Sequence, residues 1–524
     1  MGIEQEVASD TANHLLSPER NGKGGVPVRQ DRAPLYEALC RFSEKEAIGF
    51  HVPGHGAGAT FDPEAKGHFL PLLRIDATEV AGLDDLHQPQ GVIAEAQELA
   101  AELFAAEESF FLVGGTTVGV LALILSTCRP GSKLLLARNS HKSLLHGCLL
   151  AGCEPVFLAP EVDPATGLPG AVSPASVEAA LEEHPDIGAV FLTRPNYYGF
   201  GSSISPMVEL AHRKGLPVLV DEAHAAHFAF HPALPEPALA EGADAVVQST
   251  HKTLPAMTMA SMLHVCGSLL DRDRLRWYLR ALQSSSPSYP LMASLDLARR
   301  FMWRQGLEEV ARALAEAERM ERFLRQGGDF FVPPPFSAAY QWRDPLRLML
   351  HPRDLPVGYL QQELELRGIY PEMADPLQLL CVLRIGLTVS EGEGLRNALT
   401  EIVKSAPLPR GRRRGGVDGE RLAALWRGLP ARSLNLSVRA RILKGAKKSL
   451  PLAQSLGQIA AEDVVAYPPG IPLLMAGEQI EAGHLELLSL LSGSGAAFQG
   501  SRDPQLRCLL VCAERGTLVG EKSR

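Results

Sequence analysis

The segment Gln248-Ser249-Thr250-His251-Lys252 follows an apolar run and presents a primary amine where a buried strand ends. Such a lysine can point to solvent, or it can act as a nucleophile toward a carbonyl group. Its neighbours bear on the choice. The apolar run Pro217-Val218-Leu219-Val220 delivers Asp221-Glu222-Ala223-His224 at its carboxyl end. In an open parallel sheet ligands collect at the carboxyl ends of the strands, so Asp221 and Lys252 can face one crevice. A salt bridge would explain the pair. So would a heteroaromatic cofactor that needs an amine for a Schiff base and a carboxylate to keep its ring nitrogen protonated.

Two further segments add to this. Val113-Gly114-Gly115-Thr116-Thr117 reads as a strand end turning through glycines into a helix start. Glycines let the backbone approach an anion, and the free amides of a helix N-terminus point at it. Thr116 and Thr117 are the candidate phosphate ligands, although a plain turn capped by threonine fits the same residues. Arg138-Asn139-Ser140-His141-Lys142-Ser143 follows the next strand. His141 there is either a first-turn helix residue or a flat partner for an aromatic ring. Amine, carboxylate, phosphate cradle and stacking ring together point to pyridoxal 5'-phosphate (PLP) as cofactor.

These residues need a scaffold. From about Ser109 short apolar runs alternate with helical periodicity, the pattern of a parallel sheet under crossover helices in an α/β fold. The predicted strands are Phe110–Val113, Lys133–Ala137, Pro155–Leu158, Ala189–Thr193, Pro217–Val220, Ala245–Gln248 and Ser261–Val265. Predicted helices cover Thr117–Cys128, His141–Ala151, Met207–Lys214 and Pro174–Glu183, the last capped by Ser173. A long helical stretch, Ser294–Gln326, ends at Gly327-Gly328 and Pro333-Pro334-Pro335, where a smaller α+β unit is expected to begin. The reading divides the chain into a tail (1–33), a large cofactor-binding domain (34–326), a small α+β domain (327–405), a linker (406–419) and a C-terminal domain (420–524).

Composition limits the alternatives. With 46% hydrophobic and 21% charged residues the 524-residue chain is an ordinary globular protein, large enough for several cores. A formal charge of -9 offers no long-range attraction for nucleic acid or anionic lipid, and the basic run Arg410 to Arg414 reads as solvated linker. No basic-then-apolar leader opens the sequence, and Val118 to Thr127, its most apolar stretch, is about half the length a membrane span needs. The eight cysteines lack paired CxxC spacing and read as reduced thiols of a cytoplasmic protein. Cys508 and Cys512 could share a helix face, but two thiols make a poor metal site, and no metal is expected.

In this order, the motifs resemble the ornithine/lysine/arginine decarboxylase family of fold type I PLP enzymes, from about Pro34 to Gln479. The likeness includes His51-Val52-Pro53-Gly54-His55, Gly82-Leu83-Asp84-Asp85-Leu86-His87, Gln283-Ser284-Ser285-Ser286-Pro287-Ser288-Tyr289 and Tyr467-Pro468-Pro469-Gly470-Ile471-Pro472. The resemblance implies an aspartate aminotransferase-like large domain with a mostly parallel sheet. It makes Lys252 the Schiff-base lysine, Asp221 the pyridinium partner and His141 the stacking residue. Ala223 would pack beneath the ring and His224 lie near its phenolic oxygen, while Ser249 and His251 contact phosphate or substrate. It also implies a homodimer or higher assembly with the active site at the interface, where Ser285 reaches the neighbouring subunit's phosphate and Glu478 approaches the substrate's distal cation. The implied substrate is a basic amino acid, arginine first, lysine or ornithine next, in polyamine biosynthesis. Asp221 is expected to stay ionised against the ring's positive charge.

The sequence also departs from the family pattern. Gly56 stands where Lys is common, Gly114 where Asn is frequent, Arg194-Pro195-Asn196 where a Ser-Pro-Thr type segment is usual, and Met259 where Gln is common. The chain also lacks room for the N-terminal wing domain of the larger members, so the short form is expected. Two other readings share the fold: an aminotransferase or lyase using Arg384 to hold the α-carboxylate, and a homologue that binds the cofactor without turnover.

Overall fold

The structure, a computed structural model, describes residues 30–45, 48–406, 419–431 and 433–513. Most of the expected tail (1–33) and linker (406–419) lies outside the described residues. These residues form two compact units, one drawn from Met1–Thr127 and Pro217–Ala311, the other from Cys128–Leu216 and Arg312–Arg524.

All seven expected strands form: β1 (Glu108–Leu112), β2 (Lys133–Ala137), β3 (Glu154–Leu158), β4 (Ile187–Thr193), β5 (Val218–Asp221), β6 (Ala245–Gln248) and β7 (Ser261–Val265). In the first unit β5 and β6 run parallel, pairing Val220 with Val246. The sheet is mostly parallel, as expected, and β7 is the exception, running antiparallel to both β6 and β1. An apolar run records burial on both faces and not direction. In the second unit β4, β2 and β3 are all parallel, with Leu135 opposite both Val190 and Val156.

The helices that cover these strands start and stop where local chemistry says they should. Helix α1 (Gly115–Thr127) is apolar nearly all round and buries Val118, Val120, Leu123 and Ile124. Gly119 lets it approach the sheet: a Cβ there would lie 2.8 Å from Leu112 Cδ1 and 3.1 Å from Val247 Cγ1. Helix α2 (Lys142–Ala151) has His141 as its N-cap and Gly152, in the left-handed region, as its C-cap. Helix α3 (Pro174–Glu183) begins as expected, with the Ser173 side chain accepting from the Ser176 amide. Helix α4 (Ser205–His212) starts two residues before the expected Met207–Lys214 segment and ends two residues short of it, α5 (Thr250–Thr253) is a single turn, and α6 runs from Tyr289 to Gly327.

Elsewhere in the second unit an antiparallel sheet of Phe330–Phe331, Arg347–Pro352, Leu379–Val382 and Met373–Ala374 buries its apolar residues with helices Val357–Glu365 and Val389–Ser405. A separate core gathers Leu473, Ile480, Leu487 and Leu488 around Val464 and Ala460. Cys508 and Cys512 do not share a helix face. They lie on a strand, Cys508–Cys512, paired antiparallel with Lys447–Pro451. Residues four apart share a side in either element, so the spacing alone could not distinguish them. Among the described residues no helix is long and apolar enough to cross a membrane, and no group of three or more His, Cys, Asp or Glu could hold a metal ion.

Candidate functional site

Asp221 is the last residue of β5 and is buried, with Oδ1 accepting the Ala223 amide at 3.1 Å. Burial raises its carboxyl pKa, while the Lys252 ammonium and the Ala223 N–H pull it down. A carboxylate placed this way depends on nearby positive charge to stay ionised. Lys252 lies on the single turn α5, where its amide donates to Ser249 O at 3.1 Å. Its Nζ is 3.1 Å from His224 Nε2. An ammonium can only donate, so His224 accepts at Nε2 and carries its proton on Nδ1. Beside it, His251 directs both its amide (3.1 Å) and Nδ1 (2.9 Å) at the carbonyl of Ala260. Because a carbonyl only accepts, the His251 proton is on Nδ1. Burial depresses the His251 pKa against the opposing pull of the Ala260 carbonyl, and the adjacent Lys252 depresses it further.

The glycine turn is built as an anion site would be. Gly115 takes φ +73° and its amide donates to Met259 O at 3.1 Å, which fixes the point where α1 begins. The amides of the next turn have no intrahelical acceptor. Thr116 Oγ1 meets Ser249 Oγ at 3.1 Å, so hydroxyls from two segments converge there, with Thr117 exposed one residue on. An amine, a buried carboxylate and a helix start lined with hydroxyls are the groups that the aldehyde, ring nitrogen and phosphate of PLP require. All three lie in the first unit, and they fit that cofactor.

Other family-like motifs of this unit have local jobs. Asp84 Oδ1 accepts the amides of Asp85 and Gln90, and Oδ2 those of Gly91, Ile93 and Ala94, which caps helix Val92–Leu103. Burial opposes its ionisation, but these amides prevail and its pKa falls below the ordinary value. Tyr289 donates to Asp84 O at 2.6 Å. His87 Nε2 lies 2.8 Å from Ser284 O, while Ser284, Ser285 and Ser286 are exposed. Met259, one of the departures, takes φ +78° and contributes its carbonyl to the glycine turn, leaving its side chain exposed.

His141 and Glu478 belong to the second unit. His141 caps α2, with Nδ1 2.8 Å from Ser143 Oγ and accepting the Ser143 amide at 3.2 Å. The Glu478 side chain is 10% exposed, accepts the Met475 amide at 2.7 Å and holds Arg138 Nη2 at 3.4 Å from each oxygen. Burial raises its pKa and Arg138 opposes that. Arg138 also donates to the carbonyls of Pro430 and Leu473 at 3.1 Å and to that of Pro472. This role of Arg138 is not legible in its sequence motif; an arginine directly after a buried strand is the available signal. Arg194, another departure, is buried with its guanidinium 5.0 Å from the Trp342 ring centre. Asn196 closes the following turn, accepting the amides of Tyr198 and Phe200. Arg384 pairs with Glu391 and with Gly386 O, and its side chain is 58% exposed.

Two family profiles match the chain: "Orn/Lys/Arg decarboxylase, major domain" over residues 33–334 and "Orn/Lys/Arg decarboxylase, C-terminal domain" over residues 430–503. The chain is 43% identical to "Uncharacterized protein YaaO" of Bacillus subtilis, across 92% of this chain and 98% of that one. It is 34% identical to an arginine decarboxylase of Bacillus anthracis, across 93% and 98%. Among solved structures, lysine decarboxylase A from Pseudomonas aeruginosa superposes with a TM-score of 0.76 at 22% identity, covering 97% of this chain and 82% of that one. A serine palmitoyltransferase of Sphingomonas wittichii shares the fold more distantly, with a TM-score of 0.52 at 19% identity over 67% and 86%. The chain therefore belongs to the Orn/Lys/Arg decarboxylase family and is a PLP-dependent decarboxylase on the fold type I scaffold.

Proposed function

We propose that this enzyme converts L-arginine to agmatine and CO2, with PLP carried on Lys252. The observation that carries the reading is the convergence in one unit of Lys252, His224 and Asp221 with the Thr116–Ser249 hydroxyl pair at the start of α1. Arginine is favoured over lysine because relatives named arginine decarboxylase are 34% identical over most of the chain, against 24–25% for those named lysine decarboxylase. Lysine and ornithine remain the second reading, since the family spans all three amino acids.

When bound, the cofactor supplies an electron sink for the pair left on the substrate α-carbon as CO2 departs. The remaining tasks fall to the chain. Asp221 holds a proton on the ring nitrogen, and the ring's charge keeps that buried carboxylate ionised. Thr116, Thr117 and Ser249 bind the phosphate with the first amides of α1. Ala223 packs under the ring and His141 stacks on it. His224, already in contact with the lysine amine, would lie near the phenolic oxygen. His251, neutral with Nε2 unprotonated, lies beside the lysine to contact phosphate or substrate. Lys252 would hold the cofactor's aldehyde carbon and would take that carbon back as the amine product leaves. Orientation of the substrate carboxylate, set by the pocket, selects decarboxylation over transamination.

The enzyme is further proposed to be a cytoplasmic homodimer or larger assembly of polyamine biosynthesis, divided at 34–326, 327–405 and 420–524. Exposed Ser285 would reach the partner's phosphate. Glu478 stays a substrate-binding candidate, but its engagement by Arg138 supports a structural share in its role. Arg384, taken up by Glu391, gives the aminotransferase reading little support. The test is to incubate the purified enzyme with PLP and each of arginine, lysine and ornithine and measure agmatine, cadaverine, putrescine and CO2. Agmatine in excess is the expected result; dominant cadaverine or putrescine would reassign the substrate, and a requirement for a keto acid would reject decarboxylation.

A further inference from the structure

The turn that carries His141 is fixed from a distant part of the chain. Gly470 presses on the imidazole: a Cβ there would stand 2.6 Å from His141 Cδ2 and 2.8 Å from Nε2. Gly470 O accepts the Lys142 amide at 2.8 Å, and Lys142 Nζ lies 5.2 Å from the centre of the Tyr467 ring. Two residues beyond Gly470, the carbonyls of Pro472 and Leu473 receive Arg138, which opens the same turn. One turn is thus held at three points, Arg138, His141 and Lys142, by the single segment Tyr467 to Leu473. The local cap, His141 accepting the Ser143 amide, satisfies one N–H of this turn, and Gly470 supplies the acceptor for another, the Lys142 amide.

We propose that Gly470 is a positioning residue for the cofactor ring: lacking a side chain, it lets the Tyr467–Leu473 segment close against the edge of His141 and set that imidazole's orientation. This rests on the reading of His141 as the stacking partner, and it gives the C-terminal domain a direct share in cofactor binding. Any side chain at 470 must displace the ring. Gly470 has φ +89°, so a substitution also strains the backbone, and that strain has to be separated from the ring contact.

Gly495 supplies the control, with φ +84° and nothing within 4 Å of an added Cβ. Gly470→Ala, Gly495→Ala, Tyr467→Ala and His141→Ala would each be compared with the parent holoenzyme. The readouts are the visible circular dichroism of bound PLP, the PLP dissociation constant, and kcat and KM separately. Gly470→Ala is expected to change the visible dichroism and weaken PLP by about two- to tenfold, the range of a lost aromatic contact, while Gly495→Ala matches the parent. Tyr467→Ala, which keeps the glycine, should shift the same signals less, and it tests the clamp should Gly470→Ala fail to fold. If His141→Ala changes cofactor affinity and dichroism while Gly470→Ala behaves as Gly495→Ala, the clamp is wrong and the stacking role stands. If His141→Ala leaves both signals at parental values, the stacking role falls and the proposal falls with it.

Discussion

The lysine-bearing crevice and the His141 turn are stabilised in opposite ways. Around Lys252 the contacts are made by strand ends and their next few residues: Ala260 receives His251, Ser249 receives Lys252, and Ala223 serves Asp221. Around His141 the partners stand more than three hundred residues away, at Gly470, Pro472 and Leu473. The first arrangement can be assembled by β-sheet geometry alone. The second exists only once the C-terminal segment has folded onto α2 and β2. Lys252 and Asp221 sit where strand ends position them, while the His141 turn is held by a segment remote in the sequence.

The comparison can be broken at either region. Lys252→Ala should show the largest effect, lowering kcat by a factor on the order of 10³ or more while the urea midpoint stays near the parent value. A large loss of stability would mean the lysine is structural. Arg138→Ala should do the reverse, since it leaves Glu478 buried without its cation. A loss of about 3–5 kcal/mol in unfolding free energy is expected, and the double variant with Glu478→Gln should recover part of it. Asp221→Asn keeps the shape and the acceptor for Ala223 but removes the charge. A fall in kcat of about 10²–10³ with intact folding is the expected outcome, read by steady-state kinetics.

The smallest effect concerns pH. His264 is fully buried beside Phe104, and burial drops its pKa to about 3, while burial drops that of His484 to about 4. Each histidine is neutral in the fold and titrates near 6.5 once unfolded, so the unfolded chain gains protons first as pH falls. Their stabilisation is complete above pH 6.5 and is lost on the way down toward the folded values. For His264 this amounts to about 2 kcal/mol between pH 6.5 and pH 5. His264→Gln should flatten the urea midpoint across that range; an unchanged slope would show that the histidine does not contribute.

What was legible in the sequence follows the same division. Strands β2, β6 and β7 and the Ser173-capped helix were read to the residue because apolar runs and caps are local signals. The reversed direction of β7 was not, since direction leaves no mark on hydrophobicity. Lys252, Asp221 and the glycine turn stood out because each lies at a strand end. The His224–Lys252 contact, the Arg138–Glu478 pair and the seat of His141 against Gly470 were hidden, even though the Tyr467–Pro472 motif had been noticed. Contacts between residues distant in the chain, 28 apart for His224 and Lys252 and 340 apart for Arg138 and Glu478, have no periodicity to betray them. Asp84 shows the converse: its motif was quoted for the resemblance, and the structure gives it a helix to cap.

The most direct measurement is to reduce the PLP-loaded enzyme with borohydride, digest it and sequence the modified peptide by mass spectrometry. A phosphopyridoxyl group on Lys252, absent in Lys252→Ala, is the expected result. The same group on another lysine, or none on a fully active enzyme, would contradict the assignment of Lys252 as the cofactor's anchor.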